Sequence, residues 1–114
     1  MPEQIVRRSQ IGEVGVDTGQ VIICDPANID SWVDHEYSDG PGRTHEFSYD
    51  GACRESGSRP DRGGWLKIGS TYCTVAESGY GDGVYPVYAD YNRGGHIVRL
   101  VIYFSDCEKE TREE

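Results

Sequence analysis

The chain has 114 residues, 36% of them hydrophobic, with 20 acidic against 11 basic side chains and a net charge of −9. That length holds a single domain, residues 1–114, with a modest core, and the acidic surface repels nucleic acid and anionic membrane. No stretch approaches the roughly 18 apolar residues of a membrane span, and Met1–Arg8 lacks the apolar centre of a signal peptide, so a cytoplasmic protein is expected.

Residues 1–10 offer one apolar pair, Ile5 and Val6, before Arg7 and Arg8, and read as an arm or a weak edge strand. Val14 and Val16 share a face, Asp17-Thr18-Gly19-Gln20 supplies turn chemistry, and Val21-Ile22-Ile23-Cys24 is apolar on both faces. The pattern predicts a hairpin whose second strand is deep in the fold. Asp25 is placed as an N-cap with Pro26 at the first helical position, and Ile29, Trp32 and Val33 give a short helix one apolar face.

Asp34 to Arg43, with Asp39-Gly40-Pro41-Gly42, reads as a loop. Thr44 to Cys53 alternates, with Phe47, Tyr49 and Cys53 opposite Glu46, Ser48 and Asp50, and predicts a strand with one wet face. Arg54 to Gly64 is rich in glycine, serine and charge, as an exposed loop would be. Trp65 to Ile68 and Thr71 to Ala76 are two short strands around Gly69-Ser70.

Gly79, Gly81 and Gly83 alternate with Tyr80 and Asp82, which suits a shaped turn or a loop that admits a ligand to its backbone. The β-rich run Val84 to Tyr91 follows, and Pro86 marks an edge, a bulge or the strand's first residues. Asn92-Arg93-Gly94-Gly95 then joins it to a strand over His96 to Phe104, the strongest hairpin signal in the chain. Residues 106–114, rich in charge, are expected to be a flexible tail. The predicted fold is mainly β, a small antiparallel sandwich or partly closed barrel with one short helix.

No motif names a catalytic residue. Ser70, Ser78, Cys53 or Cys73 with His35, His45 or His96 would be needed for nucleophilic catalysis, yet nothing resembles Gly-x-Ser-x-Gly. Cys24, Cys53, Cys73 and Cys107 contain no close pair and read as buried free thiols in a reducing compartment. Asp17, Asp25, Asp82 and Asp90 would suit a hard cation if their elements converged, but aspartates beside glycine commonly form turns, so no metal and no cofactor is assigned. Tyrosines and arginines on the same strands offer stacking and charge-assisted hydrogen bonds to a small nucleotide.

Val16-Asp17-Thr18-Gly19-Gln20-Val21-Ile22-Ile23-Cys24-Asp25-Pro26 and Gly79-Tyr80-Gly81-Asp82-Gly83-Val84-Tyr85-Pro86-Val87-Tyr88 resemble the signature stretches of a family of small bacterial and phage proteins, a domain of unknown function. Asp34 to Gly64 falls outside the resemblance, which implies no catalytic residue. It implies a bacterial or phage protein that acts by stoichiometric binding, including counter-defence.

The sequence therefore predicts a non-enzymatic binding protein for a small polar ligand such as a nucleotide signal. Asp17, Thr18, Gln20, Tyr80, Asp82, Tyr85, Tyr88 and Arg99 are its ligand-binding residues. Two alternatives are an inhibitor that binds a host protein through its acidic surface and a metal-dependent hydrolase using the four aspartates. An exposed edge at Val84 to Tyr91 would permit a homo-oligomer.

Overall fold

The computed structural model describes residues 4–33, 44–57 and 59–105. The expected loop at 34–43, with His35, and the expected tail at 106–114, with Cys107, lie outside the described residues. Six strands appear in chain order, β1 (Arg7–Val16), β2 (Gln20–Ile23), β3 (Gly63–Ile68), β4 (Thr71–Glu77), β5 (Gly83–Tyr91) and β6 (Ile97–Ile102). A 3-10 helix (Pro26–Ser31) and the α-helix α1 (Tyr49–Gly57) fall between β2 and β3. The strands form two three-stranded antiparallel sheets, β1-β5-β6 and β2-β4-β3, so the described residues are mainly β with one short α-helix. The chain divides into two compact units, Met1–Val16 with Asp82–Glu114, and Asp17–Gly81.

In the first unit β1 is a full ten-residue strand against β5, with Arg8 opposite Asp90 and Val14 opposite Tyr85. The hairpin from β5 to β6 forms as the glycine-rich turn predicts. The Gly95 N–H donates to the Asn92 carbonyl at 3.0 Å, and Gly95 adopts φ +86°, a conformation that favours glycine. β5 is the middle strand of its sheet, and Pro86 is tolerated there because of where the ladder stops. β6 pairs with β5 only from Val87 onward, and the Pro86 carbonyl accepts from Tyr103 just past that end, where a missing N–H breaks no ladder bond.

The predicted hairpin of Val14–Val16 with Val21–Cys24 does not form. β1 pairs with β5 and β2 pairs with β4, so the Asp17–Gln20 turn hands the chain from one sheet to the other. Alternation specifies a strand and its buried face, whereas the partner is chosen by which ladder buries most backbone and side chain.

In the second unit β3 and β4 form the expected hairpin about Gly69 (φ +57°), and β2 adds to the other side of β4. The inner face contributes Leu66, Ile68, Cys73 and Val75 to a core completed by Phe47 and by Ala52 of α1, with Ile22, Cys24 and Trp32 packed against it. Asp25 caps the short helix as expected, its Oδ1 accepting from the Ala27 N–H at 2.9 Å. The helix is 3-10 rather than α, however, and Ile29 and Val33 stay exposed while Trp32 alone turns inward, edge-on to Phe47 at 4.9 Å.

The largest departure lies at Thr44 to Cys53, where helix α1 replaces the predicted strand from Tyr49 onward and extends into the predicted loop. Ser48 is fully buried, and its Oγ accepts from the Gly51 N–H at 3.0 Å, the geometry of an N-cap. A Cβ at Gly51 would lie 1.9 Å from the Glu46 carbonyl oxygen, so only glycine lets the first turn fold onto the preceding backbone. Two ion pairs on and just past the helix, Arg54 to Asp50 at 2.9 Å and Arg59 to Glu55 at 2.5 Å, neutralise carboxylates that are themselves buried.

Candidate functional site

The loop after β4 is built on Ser78, which has no solvent exposure. Its N–H donates to the Gly19 carbonyl at 2.9 Å, and its Oγ donates to the Gly81 carbonyl at 2.6 Å. One serine thus ties the Asp17–Gln20 turn to the glycine loop and closes that loop on itself. Gly19, Gly79 and Gly81 adopt φ of +75°, +84° and +87°, and a Cβ at any of them would have nothing within 4 Å. Conformation, not crowding, requires glycine there, and the same bareness leaves the loop backbone open to a ligand.

Between turn and loop lies an open cleft of about 390 Å³, lined by Thr18, Gly19, Gln20, Cys53, Ser56, Gly57, Glu77, Gly79 and Gly81. Its floor is a hydrogen-bonded set centred on Gln20. The Gln20 Oε1 accepts from Ser56 Oγ at 2.8 Å, and its Nε2 donates to the Cys53 sulfur at 3.6 Å. The Tyr49 hydroxyl is held above its ordinary pKa, chiefly by its interaction with Cys53 and less by burial. At the rim, the Arg62 Nη1 donates to Glu77 Oε2 at 3.3 Å. The lining therefore offers two hydroxyls, an amide, a carboxylate, a thiol and bare backbone, and among the described residues it includes no lysine or arginine.

The sequence-selected residues are distributed between the two units. Thr18 and Gln20 line the cleft, while Asp17 is exposed beside them and Tyr80, 77% exposed, turns away from the lining. Asp82, Tyr85, Tyr88 and Arg99 belong to the other unit. There Tyr85 packs edge-on against Phe104 at 5.1 Å, and Tyr88 against Tyr103 at 5.5 Å. Arg99 is held on Asp90, its Nε 2.8 Å from Oδ2. Tyr49 and Ser56 escape the sequence reading because it makes Thr44 to Cys53 a strand and Arg54 to Gly64 a loop, and the signal that points to them is the Ser48-x-x-Gly51 helix start. Glu77 escapes it because β2 is expected to pair with Val14–Val16, whereas it pairs with β4 and sets Glu77 opposite Gln20.

Two other clusters have their own geometry. Asp90 is fully buried and gripped by Arg8, with Nε to Oδ1 at 2.6 Å and Nη2 to Oδ2 at 3.0 Å, as well as by Arg99. The hydrogen bonds from Arg8, then those from Arg99, hold its carboxyl below the usual range against the opposing effect of burial, and the same pairing raises Arg8. In the second unit, His45 stacks on Trp65 with ring centres 3.5 Å apart. Its Nδ1 donates to the Trp65 carbonyl at 2.9 Å and lies 3.4 Å from buried Glu55, bordering a groove of about 470 Å³. Among the described residues no three His, Cys, Asp or Glu side chains gather as metal ligands, and Asp25 and Asp90 are engaged as cap and ion-pair partner. None of the described helices is long and apolar enough to cross a membrane.

Neither a curated protein nor a solved structure matches the chain. Residues 5–102 match a family described as "Protein of unknown function (DUF4241)", and the match runs through Asp34 to Gly64, the stretch that the two signature motifs leave out.

Proposed function

Because the chain belongs to the DUF4241 family, whose description assigns no chemistry, we propose from the cleft itself that this is a non-enzymatic protein that sequesters a small polar ligand between the Thr18–Gln20 turn and the Gly79–Gly81 loop. The observation that carries the reading is the pairing of bare, positive-φ glycine backbone on the loop side with the Gln20, Cys53 and Ser56 network opposite. Pockets of this kind fix a ligand by a few convergent polar groups. Among the described residues the lining holds Glu77, met by Arg62 only at the rim, and no basic side chain, which favours N–H donors over phosphate, so a nucleotide would enter base first. A bacterial or phage cytoplasm fits the free thiols and the acidic surface.

Native mass spectrometry of protein purified gently from a bacterial host tests this directly. A retained small mass, or uptake of a nucleoside from an added panel, is expected for the unmodified chain. A Thr18→Ala, Glu77→Gln double variant should lower that uptake by about tenfold or more, the loss of one or two hydrogen bonds to the ligand, with its circular dichroism unchanged. A protein that stays bare with every nucleoside, or uptake that the double variant leaves intact, rejects the cleft.

A further inference from the structure

The register of β2 against β4 runs Gln20 to Glu77, Val21 to Ala76, Ile22 to Val75 and Ile23 to Thr74, and continued one step past the end of the ladder it would set Cys24 opposite Cys73. Side chains on a strand alternate between faces. Ile22 packs on the core and Ile23 is 58% exposed, so Cys24 turns inward again, where it packs on the cluster that contains Cys73. Two thiols are therefore neighbours on the same face of adjacent strands. We propose that Cys24 and Cys73 are a redox-active pair that closes reversibly to a cross-strand disulfide.

Directly opposed residues of an antiparallel pair hold their Cβ atoms about 4.5–5.5 Å apart, and a disulfide needs about 3.5–4.5 Å, so an approach of roughly an ångström suffices. Cys24 supplies that movement, because it follows the last residue of β2 and precedes the cap at Asp25, outside the ladder. The pair also interacts electrostatically. Burial and Cys24 both raise the Cys73 thiol above its ordinary pKa, burial contributing more.

The co-reactant is a small disulfide such as oxidised glutathione. The half-buried Cys24 attacks first as thiolate, the glutathione S–S bond breaks, and one glutathione leaves with the proton that Cys24 gave up. Cys73, once deprotonated, attacks the Cys24 sulfur of the mixed disulfide and expels the second glutathione, which takes up the second proton. One protein disulfide and two reduced glutathione molecules result. Because buried Cys73 retains its proton, the second step should be slow at neutral pH and accelerate as pH rises.

The test incubates the full native chain with oxidised glutathione and follows its intact mass and peptide map. Expected are a product lighter by two hydrogens, a peptide joining Cys24 to Cys73, a rate that climbs with pH, and a higher urea midpoint for the oxidised chain. Cys24→Ser, which leaves the buried core cysteine in place, should show no loss of two hydrogens. Cys73→Ala should stop at the glutathione adduct on Cys24. Glutathione adducts without closure in the unmodified chain, a disulfide between other cysteines, or closure only in urea would each overturn the proposal.

Discussion

Asp90 lies wholly out of water with both carboxylate oxygens engaged by arginines, while Arg8 and Arg99 keep 30% and 44% of their side chains exposed. Removing the carboxylate strands two cations at the surface of a buried site, the costly way to break such a pair. Asp90→Asn is expected to lower stability by about 2–4 kcal/mol, somewhat less than for wholly buried pairs because the arginines retain water. Urea denaturation measures it. The sign with pH follows from the depressed folded pKa of Asp90. Its contribution is complete above the unfolded carboxylate value of about 3.9 and fades as pH falls through the lower folded value. Acid unfolding of the natural chain should therefore steepen below about pH 4, and that part of the slope should vanish in Asp90→Asn.

At the scale of one element, α1 depends on how its first turn starts rather than on an apolar stripe. Its buried positions include Asp50, Glu55 and Ser56, which no amphipathic pattern would place inward. Ser48→Ala removes the cap and is expected to cost about 1 kcal/mol. Gly51→Ala should cost more, about 1–3 kcal/mol, since the added methyl meets the Glu46 backbone rather than a side chain that can move. Thermal melts of the two variants check the order, and equal, near-zero effects would mean that the helix start is not held as described. Because Cys53 and Ser56 ride on this helix, the cleft's hydrogen-bond network should loosen in step with it.

On the scale of the whole molecule, the first unit is closed by strands from opposite ends of the sequence. Arg7 pairs with Tyr91, Arg8 with Asp90, and Arg7 also lies 3.8 Å over the Tyr91 ring. Deleting residues 1–10 should remove part of the β1 ladder and the main partner of Asp90 together. Amide exchange in β5 is expected to rise sharply there, while the β3 and β4 amides stay protected. Equal protection of β5 in the truncated chain would contradict the ladder's role. Long-range pairing of this kind also makes folding slower than that of helical domains of equal length.

Much of this was legible in the residues alone. The β content, the β3–β4 and β5–β6 hairpins and the Asp25 cap follow from alternation and from glycine, asparagine and proline at the turns, all local properties of a few neighbouring residues. Helix α1 was hidden because its inward-facing residues are charged, and their burial makes sense only once Arg54 and Arg59 are seen to neutralise them. Thr18 and Gln20 stood out as turn residues, but their neighbours in the cleft come from α1 and from the end of β4, more than thirty residues away in the case of Gln20 and Cys53. Strand pairing is the clearest case. Local chemistry made β1 and β2 strands and put a turn between them, yet each took a distant partner. Pairing is decided by backbone hydrogen bonds and side-chain packing between neighbouring strands of a sheet, and these exist only in the folded chain.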